Sequence, residues 1–146
     1  MTSPNFSSIL DESPTEVARP KPLPAGTYLF IVGTPTYDKS SKKGTPYVMF
    51  NLRPVEIESD VDEDELSEAG GLDSKTIRAT FYLTEDAVYR LDEFHSHCGL
   101  DLSDPSSRKT RNDDVVNAEV RGVIKHRSSE DGTQIYAELS RTLPAD

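Results

Sequence analysis

Five segments with the composition of β-strands, interrupted once by a segment with helical spacing, constrain the fold of this chain more than any other feature. The first is rich in aromatic and β-branched residues, and the second and third alternate apolar with polar residues, as a strand with one buried face does. The predicted strands cover residues 26–33, 47–57, 75–83, 115–125 and 134–141. Pro54 is expected to mark a bulge or an edge in the second strand, and the fifth is expected to point Ile135, Ala137 and Leu139 inward. A chain of this pattern is expected to be mainly β.

The segment between the third and fourth predicted strands, residues 84–98, has helix signals at both ends. Thr84 suits the N-cap because its hydroxyl can accept a hydrogen bond from a free backbone N–H, and Gly99 suits the residue after the helix. Apolar residues recur between them at helical spacing, at Val88, Leu91, Phe94 and Cys98. We predict a single helix here.

Five strands with one helix between the third and the fourth is the order of the OB fold, a five-stranded barrel that commonly binds oligonucleotides. We therefore predict an OB-type barrel over residues 26–143, preceded by an irregular, proline-rich arm over residues 1–25. Residues 56–74 are expected to form an acidic loop insertion with a short helical turn at 64–69, and residues 103–114 a further loop. A generic α+β sheet is the alternative.

The composition predicts a cytoplasmic protein. A chain of 146 residues is long enough for one hydrophobic core and short for two, and its single cysteine excludes an intramolecular disulfide. No apolar run approaches the ~18 residues of a membrane-spanning helix, and the N-terminus has no visible secretory signal. We expect no contact with a membrane.

The net charge of −10 is concentrated in one part of the sequence. Nine acids, with no lysine or arginine among them, lie between positions 56 and 73: Glu56, Glu58, Asp60, Asp62, Glu63, Asp64, Glu65, Glu68 and Asp73. These residues account for nearly all of the net charge, and net charge does not determine what one face of a protein binds. The acidity therefore does not exclude a nucleic-acid ligand.

The sequence lacks the usual motifs of catalysis and metal binding. His95, His97 and Cys98 are neighbours on the predicted helix, but a second pair of ligands at zinc spacing is missing. Residues 60–71 begin like an EF-hand loop, yet the glycine of its sixth position and the glutamate of its twelfth are absent. We find no P-loop and no Gly-x-Ser-x-Gly motif. We expect no enzyme, no cofactor and no metal site.

Basic and aromatic side chains on the predicted outer face of the barrel are typical of a surface that binds single-stranded nucleic acid. Aromatic rings can stack on unpaired bases, while arginine and lysine contact phosphates. The candidates come from the loop after the first strand, from the second and third strands, and from the fourth strand: Lys39, Lys42, Lys43, Tyr47, Arg53, Arg78, Tyr82, Arg121, Lys125 and Arg127. The alternative is that the lysines are ordinary solvated loop residues and the tyrosines half-buried sheet residues.

Four short stretches carry a resemblance to a known group of proteins: Pro-Leu-Pro-Ala-Gly-Thr-Tyr at 22–28, Lys-Ser-Ser-Lys-Lys-Gly at 39–44, Val-Met-Phe-Asn-Leu at 48–52 and Ala-Thr-Phe-Tyr-Leu-Thr-Glu-Asp-Ala-Val at 79–88. From about residue 5 onward the chain resembles phage proteins that are similar to single-stranded-DNA-binding proteins. The resemblance implies an OB fold, the coating of single-stranded DNA, and a role beside phage replication or recombination proteins in the infected host cell. A homo-oligomer is also expected, with a dimer favoured, because single-strand binders often pair to lengthen their groove.

A protein-interaction module or a structural component of the virion is the alternative function. Such a module would use the acidic segment as a charge mimic and would not bind DNA. In a DNA-binding protein the same segment could recruit partner proteins, or compete with DNA for the basic face. A titration with an oligonucleotide at two salt concentrations separates the two functions.

Overall fold

The computed structural model describes residues 21–73 and 75–145 of the chain. In chain order their strands and helices are β1 (Gly26–Val32), β2 (Thr36–Lys39), β3 (Pro46–Ile57), α1 (Glu63–Glu68), β4 (Ile77–Tyr82), α2 (Tyr89–His97), α3 (Arg108–Asp114), β5 (Glu119–Ser128) and β6 (Ile135–Leu143). Within these residues, none of the helices is both long enough and apolar enough to cross a membrane.

The strands form one antiparallel sheet with the long strand β3 near its centre. Along one edge β3 pairs with β4, and along its other edge it pairs with β2 and then β1. β1 pairs in turn with β5, and β5 with β6. Cα atoms of β4 and β6 come within 8 Å of one another, yet the two strands form no ladder in the described part of the chain. The sheet therefore curls without closing into a barrel. The prediction of a mainly β fold is confirmed.

One row of side chains from the long strands meets in a single hydrophobic core. The alternation predicted for the second strand is confirmed, since Val48, Phe50 and Leu52 are completely buried. Gly122 of β5 lies at a close approach within the core: a Cβ there would stand 2.7 Å from Leu139 Cδ1 and 2.9 Å from Phe30 Cε2. A larger residue at this position would force the packed side chains apart, at a cost of ~1–3 kcal/mol.

The second predicted strand contains the irregularity expected at its proline. Leu29 of β1 pairs with Glu56 and the next residue, Phe30, pairs with Pro54, so Val55 is an extra residue on β3. Proline cannot donate a ladder hydrogen bond, which explains why the strand tolerates it beside a bulge. Of the bulge or edge expected at this proline, the bulge is the one present.

The helix predicted over residues 84–98 is shorter, and its predicted N-cap at Thr84 is wrong. The N-cap is Val88, which makes no side-chain hydrogen bond. The N–H of Leu83 still donates to the carbonyl of Pro46 on β3, at 2.8 Å, so the chain must turn before a helix can begin. The carbonyl of Thr84 accepts in that turn from the N–H groups of Ala87 and Val88.

The predicted loop at 103–114 contains α3, which the sequence analysis missed. The Ser107 hydroxyl caps this helix by accepting from the N–H of Thr110 at 3.1 Å. The Arg111 guanidinium ties the preceding loop to the helix by donating to the carbonyls of Leu102 and Asp104. Because only Asn112 of α3 is buried, the helix has no apolar stripe from which it could be predicted.

Two other strand predictions need correction, and both concern the edges of the sheet. Residues 36–39 were expected in a loop but pair with β3 as β2, whose four residues are all exposed and so give no apolar signal. Ile135 was expected to point inward but is 54% exposed. It lies at the start of β6, opposite Ser128 and beyond the end of the core.

The acidic insertion is fixed to the body of the protein. The Asp60 carboxylate accepts from the N–H of Thr27 at 2.9 Å and from its hydroxyl at 2.8 Å, and the first of these bonds lowers the pKa of that carboxyl. Val61 is buried against Gly26 at the start of β1. The short helical turn predicted here is present as α1, capped by Asp62.

The predicted N-terminal arm, residues 1–25, falls almost entirely outside the described residues. Its last part, from residue 21, is visible and has no regular secondary structure. Leu23 is nevertheless 1% exposed and belongs to the core, and its carbonyl accepts from His126 Nε2 at 2.8 Å. The folded body therefore begins before Gly26, a few residues earlier than predicted.

Candidate nucleic-acid interface

The outer face of β3 and β4 brings together four of the predicted residues. Tyr47 and Tyr82 stand directly opposite each other in the ladder, with ring centroids 6.1 Å apart and ring planes at 76°. Arg78 stands opposite Asn51, and Arg53 follows two residues further along β3. These side chains point outward because the residues that alternate with them fill the core. We call this surface the tyrosine face.

The loop between β2 and β3 adds two lysines beside the tyrosine face. Its turn is held by Ser40, whose hydroxyl accepts from the Thr45 N–H and whose carbonyl accepts from the Gly44 N–H. Lys42 and Lys43 line, together with Tyr82, a groove of about 530 Å³. The third predicted lysine, Lys39, is exposed at the end of β2 and does not line this groove.

The basic residues of β5 point outward as predicted, but the sheet does not place them beside the tyrosine face, because β1 lies between β3 and β5. Arg121 Nε is 2.6 Å from Glu58 Oε1. The two groups form an ion pair, but this nitrogen makes no hydrogen bond with the described residues. Arg127 Nε is 3.0 Å from Glu138 Oε2, and its guanidinium lies over the Tyr136 ring at 5.9 Å. Lys125 is exposed opposite Glu138 in the ladder.

A second basic surface, which the sequence analysis did not find, lies between β4 and β6. A cleft of about 250 Å³ separates these strands, with α2 as its third wall. Arg78 of β4, Arg90 of α2 and Arg141 of β6 line it, together with Tyr89 and Glu93. These residues come from three distant parts of the chain, so no local pattern could have grouped them. We call this feature the seam cleft.

The histidines and the cysteine of α2 serve the fold. His95 is fully buried, and its Nε2 lies 2.7 Å from Oδ1 of Asn112, whose amide donates to the Tyr37 hydroxyl. Burial lowers the pKa of His95 and raises that of the Cys98 thiol to about 12, which disfavours a reactive thiolate. Across residues 21–73 and 75–145, His, Cys, Asp and Glu form no group of three or more that could hold a metal ion.

A comparison of the chain with models of known protein families finds no family that matches. A search of curated proteins likewise finds no significant match.

Proposed function

We propose that this protein binds single-stranded DNA through the tyrosine face of an OB-type barrel that is open between β4 and β6. The observation that carries the proposal is the cross-strand pair of half-buried Tyr47 and exposed Tyr82, which stands beside Arg78 and is bordered by the lysines of the β2–β3 loop. Strand pairing supports the fold. β1 pairs with β3 and β5, β3 with β4, and β5 with β6, while α2 lies between β4 and β5 in the chain. OB folds bind oligonucleotides on the corresponding face and loop.

The chemistry of the face suits unpaired bases better than a duplex. A base can stack on a tyrosine ring only when its own face is free, and each such contact contributes ~1–3 kcal/mol. Tyr82 is 45% exposed, so part of its surface is open to a ligand. Arg53 and Arg78 have no ion pair or side-chain hydrogen bond with residues 21–73 or 75–145, which leaves their guanidinium groups able to contact phosphates.

The biological setting is part of the same proposal. The resemblance in residues 22–28, 39–44, 48–52 and 79–88 supports a role beside phage replication or recombination proteins in the cytoplasm of an infected cell. A homodimer would place two tyrosine faces on one DNA strand. Binding without base-specific hydrogen bonds fits this role, because a coating protein must accept any sequence.

The proposal is tested by a fluorescence-anisotropy titration of the full chain with labelled oligo-dT at two salt concentrations, with a duplex of the same length as the control. We expect binding to oligo-dT at low salt, weaker binding to the duplex, and an affinity that falls with salt. Each phosphate contact contributes ~0.7 to the slope of log K against log salt for single strands. An absence of oligo-dT binding at low salt would contradict the proposal.

The acidic insertion favours a second candidate, a protein-interaction module such as a virion component. Asp60 and Val61 hold the insertion in place, while α1 displays exposed acids at Glu63, Asp64 and Glu68. An ordered acidic surface can bind a basic surface on a partner protein. A module of this kind would bind no oligo-dT at either salt concentration. Substituting Glu63 and Asp64 by glutamine and asparagine, while Asp60 and Glu68 stay, tests the insertion without removing the contacts that hold it.

A further inference from the structure

The seam cleft concentrates unpaired positive charge in a strongly acidic protein. Arg78, Arg90 and Arg141 line it, and Glu93 is the one acid among its lining residues. None of the three arginines forms an ion pair or a side-chain hydrogen bond within the described parts of the chain. Bringing three like charges to one cleft with a single acid, which pairs with none of them, is unfavourable, so the arrangement suits an anionic ligand.

The other arginines of the described chain behave differently. Arg108 binds Asp92 through two hydrogen bonds, Arg111 donates to backbone carbonyls, and Arg121 and Arg127 each pair with a glutamate. Arg53, on the tyrosine face, is the one arginine besides those of the cleft that lacks such a partner in residues 21–73 and 75–145. Within the described chain, the arginines without protein partners therefore all lie on these two adjoining surfaces.

The walls of the cleft are held by regular structure. Arg78 lies in the β3–β4 ladder opposite Asn51. α2 is joined to β6 by a hydrogen bond of 2.8 Å between His97 Nδ1 and the Thr142 hydroxyl, and it buries Leu91 in the core. Side chains on rigid elements lose less entropy when a ligand binds than side chains on loops.

A bulge in β6 aims Arg141 at the cleft. Ile124 pairs with Leu139 and the preceding residue, Val123, pairs with Arg141, so Ser140 is the extra residue. Leu139 packs against the core. In an unbroken strand Arg141 would lie on the same face as Leu139, and the bulge moves it to the outer face. Bulges are over-represented next to functional sites, where they redirect a side chain.

The mouth of the cleft also carries an aromatic ring. Tyr89 is 57% exposed, the most exposed of the large hydrophobic residues in the described chain. Arg78 belongs both to the cleft and to the tyrosine face, so the two surfaces are continuous. A nucleotide that follows a base stacked on Tyr82 would reach this mouth along β4.

We propose that the seam cleft binds one nucleotide of the DNA strand, with its phosphate at the three arginines and its base stacked on Tyr89. This inference rests on the proposed function and extends the DNA path from the tyrosine face across the open seam to β6. Arginine suits the task because its planar guanidinium can hold a phosphate through two parallel hydrogen bonds. A free nucleotide offers the same chemistry, so the experiment must distinguish it from the strand.

The experiment measures oligo-dT affinity across a salt series for wild-type protein, Arg90→Gln and Arg141→Gln. Lys109→Gln is the control, because it removes the same charge from an exposed position on α3 that does not line the cleft. We expect each arginine variant to weaken binding several-fold and to reduce the salt slope by ~0.7, while the control changes neither. Thermal unfolding of each variant confirms that it is folded.

Two results would overturn the inference in different ways. If wild-type protein binds oligo-dT and neither arginine variant alters affinity or slope, the cleft is not on the DNA path and the proposed function stands. If wild-type protein fails to bind at low salt, the proposed function itself is wrong.

A titration with thymidine monophosphate, followed by NMR of amides in residues 89–93 and 139–142, separates the two ligand sources. We expect weak, unsaturated shifts at concentrations where oligo-dT saturates these amides, because a single nucleotide lacks the neighbouring contacts of the strand. Saturation by the monophosphate at those concentrations would indicate a site for a free nucleotide and contradict the strand path.

Discussion

The β3–β4 side and the β5–β6 side of the sheet carry similar residues on their outer faces. The two sides differ in whether the arginines there form ion pairs with the rest of the described chain. Tyr47, Tyr82 and Arg78 on the first side have no charged partner in the described chain, whereas Arg127 on the second is paired with Glu138 and lies over the Tyr136 ring at 5.9 Å. A paired arginine must give up its carboxylate before it can hold a phosphate, and the released acid then repels the DNA. The residue types on a strand's outer face are therefore not enough to predict whether that face binds DNA. The partners of those residues must be known as well.

The largest effect expected from this contrast is on base stacking. Tyr82→Ala should weaken oligo-dT binding by about fivefold or more, because one stacked base contributes ~1–3 kcal/mol. Tyr136→Ala, which removes the same ring from the β5–β6 side, should change affinity much less, because the arginine beside that ring is paired with Glu138 and is not free to hold a phosphate. Anisotropy titrations of both variants at one salt concentration make the comparison. Equal losses in the two variants would show that both sides bind bases.

A smaller effect, of opposite sign, is expected from releasing the paired arginines. Glu58→Gln combined with Glu138→Gln frees Arg121 and Arg127 and should raise oligo-dT affinity several-fold, with a salt slope steeper by up to ~0.7 for each new phosphate contact. The fold should survive, because exposed ion pairs contribute ~0–1 kcal/mol.

Glu130→Gln provides the control for this double variant, since it removes an exposed acid that has no ion-pair partner in the described residues. An equal gain per removed charge in the control would mean that general charge, and not the release of particular arginines, sets the affinity. The difference between unpaired arginines on the β3–β4 side and paired arginines on the β5–β6 side would then not explain DNA affinity.

Local sequence was sufficient to place β3 and β4 and to give the direction of their side chains. Alternation with a period of two places Tyr47 and Arg78 outward and Phe50 inward whatever the rest of the chain does. Elements without an apolar stripe were missed for the converse reason. α3 buries Asn112 alone, and β2 buries nothing.

The sequence could not predict which charged side chains form ion pairs and which stay unpaired, because this depends on contacts between distant parts of the chain. Glu58 reaches Arg121 only because the acidic insertion packs beside β1, which neighbours β5. The seam cleft needs α2 to pack against β6, and the bulge at Ser140 reverses the face that simple alternation assigns to Arg141. A polar residue at an inward position of a strand is the one sequence signal that could have pointed to Arg141.

Both sides of the sheet share one core, and buried His95 is expected to limit the pH range in which they can be compared. Burial lowers the folded-state pKa of His95 below its ordinary 6.5, so the unfolded chain binds a proton more readily. The stability that neutral His95 contributes is complete above pH 6.5 and is lost as pH falls toward the folded-state pKa. Asp60 and Asp92, whose pKa values lie below 3.8, lose their contributions only in stronger acid.

Urea unfolding at pH 7.5, 6.5 and 5.5 should therefore show a larger loss of stability in wild-type protein than in His95→Gln, whose side chain cannot titrate. An equal loss in both proteins would assign the pH dependence to other groups, and DNA binding could then be compared on both sides of the sheet down to the pH at which the carboxylates titrate.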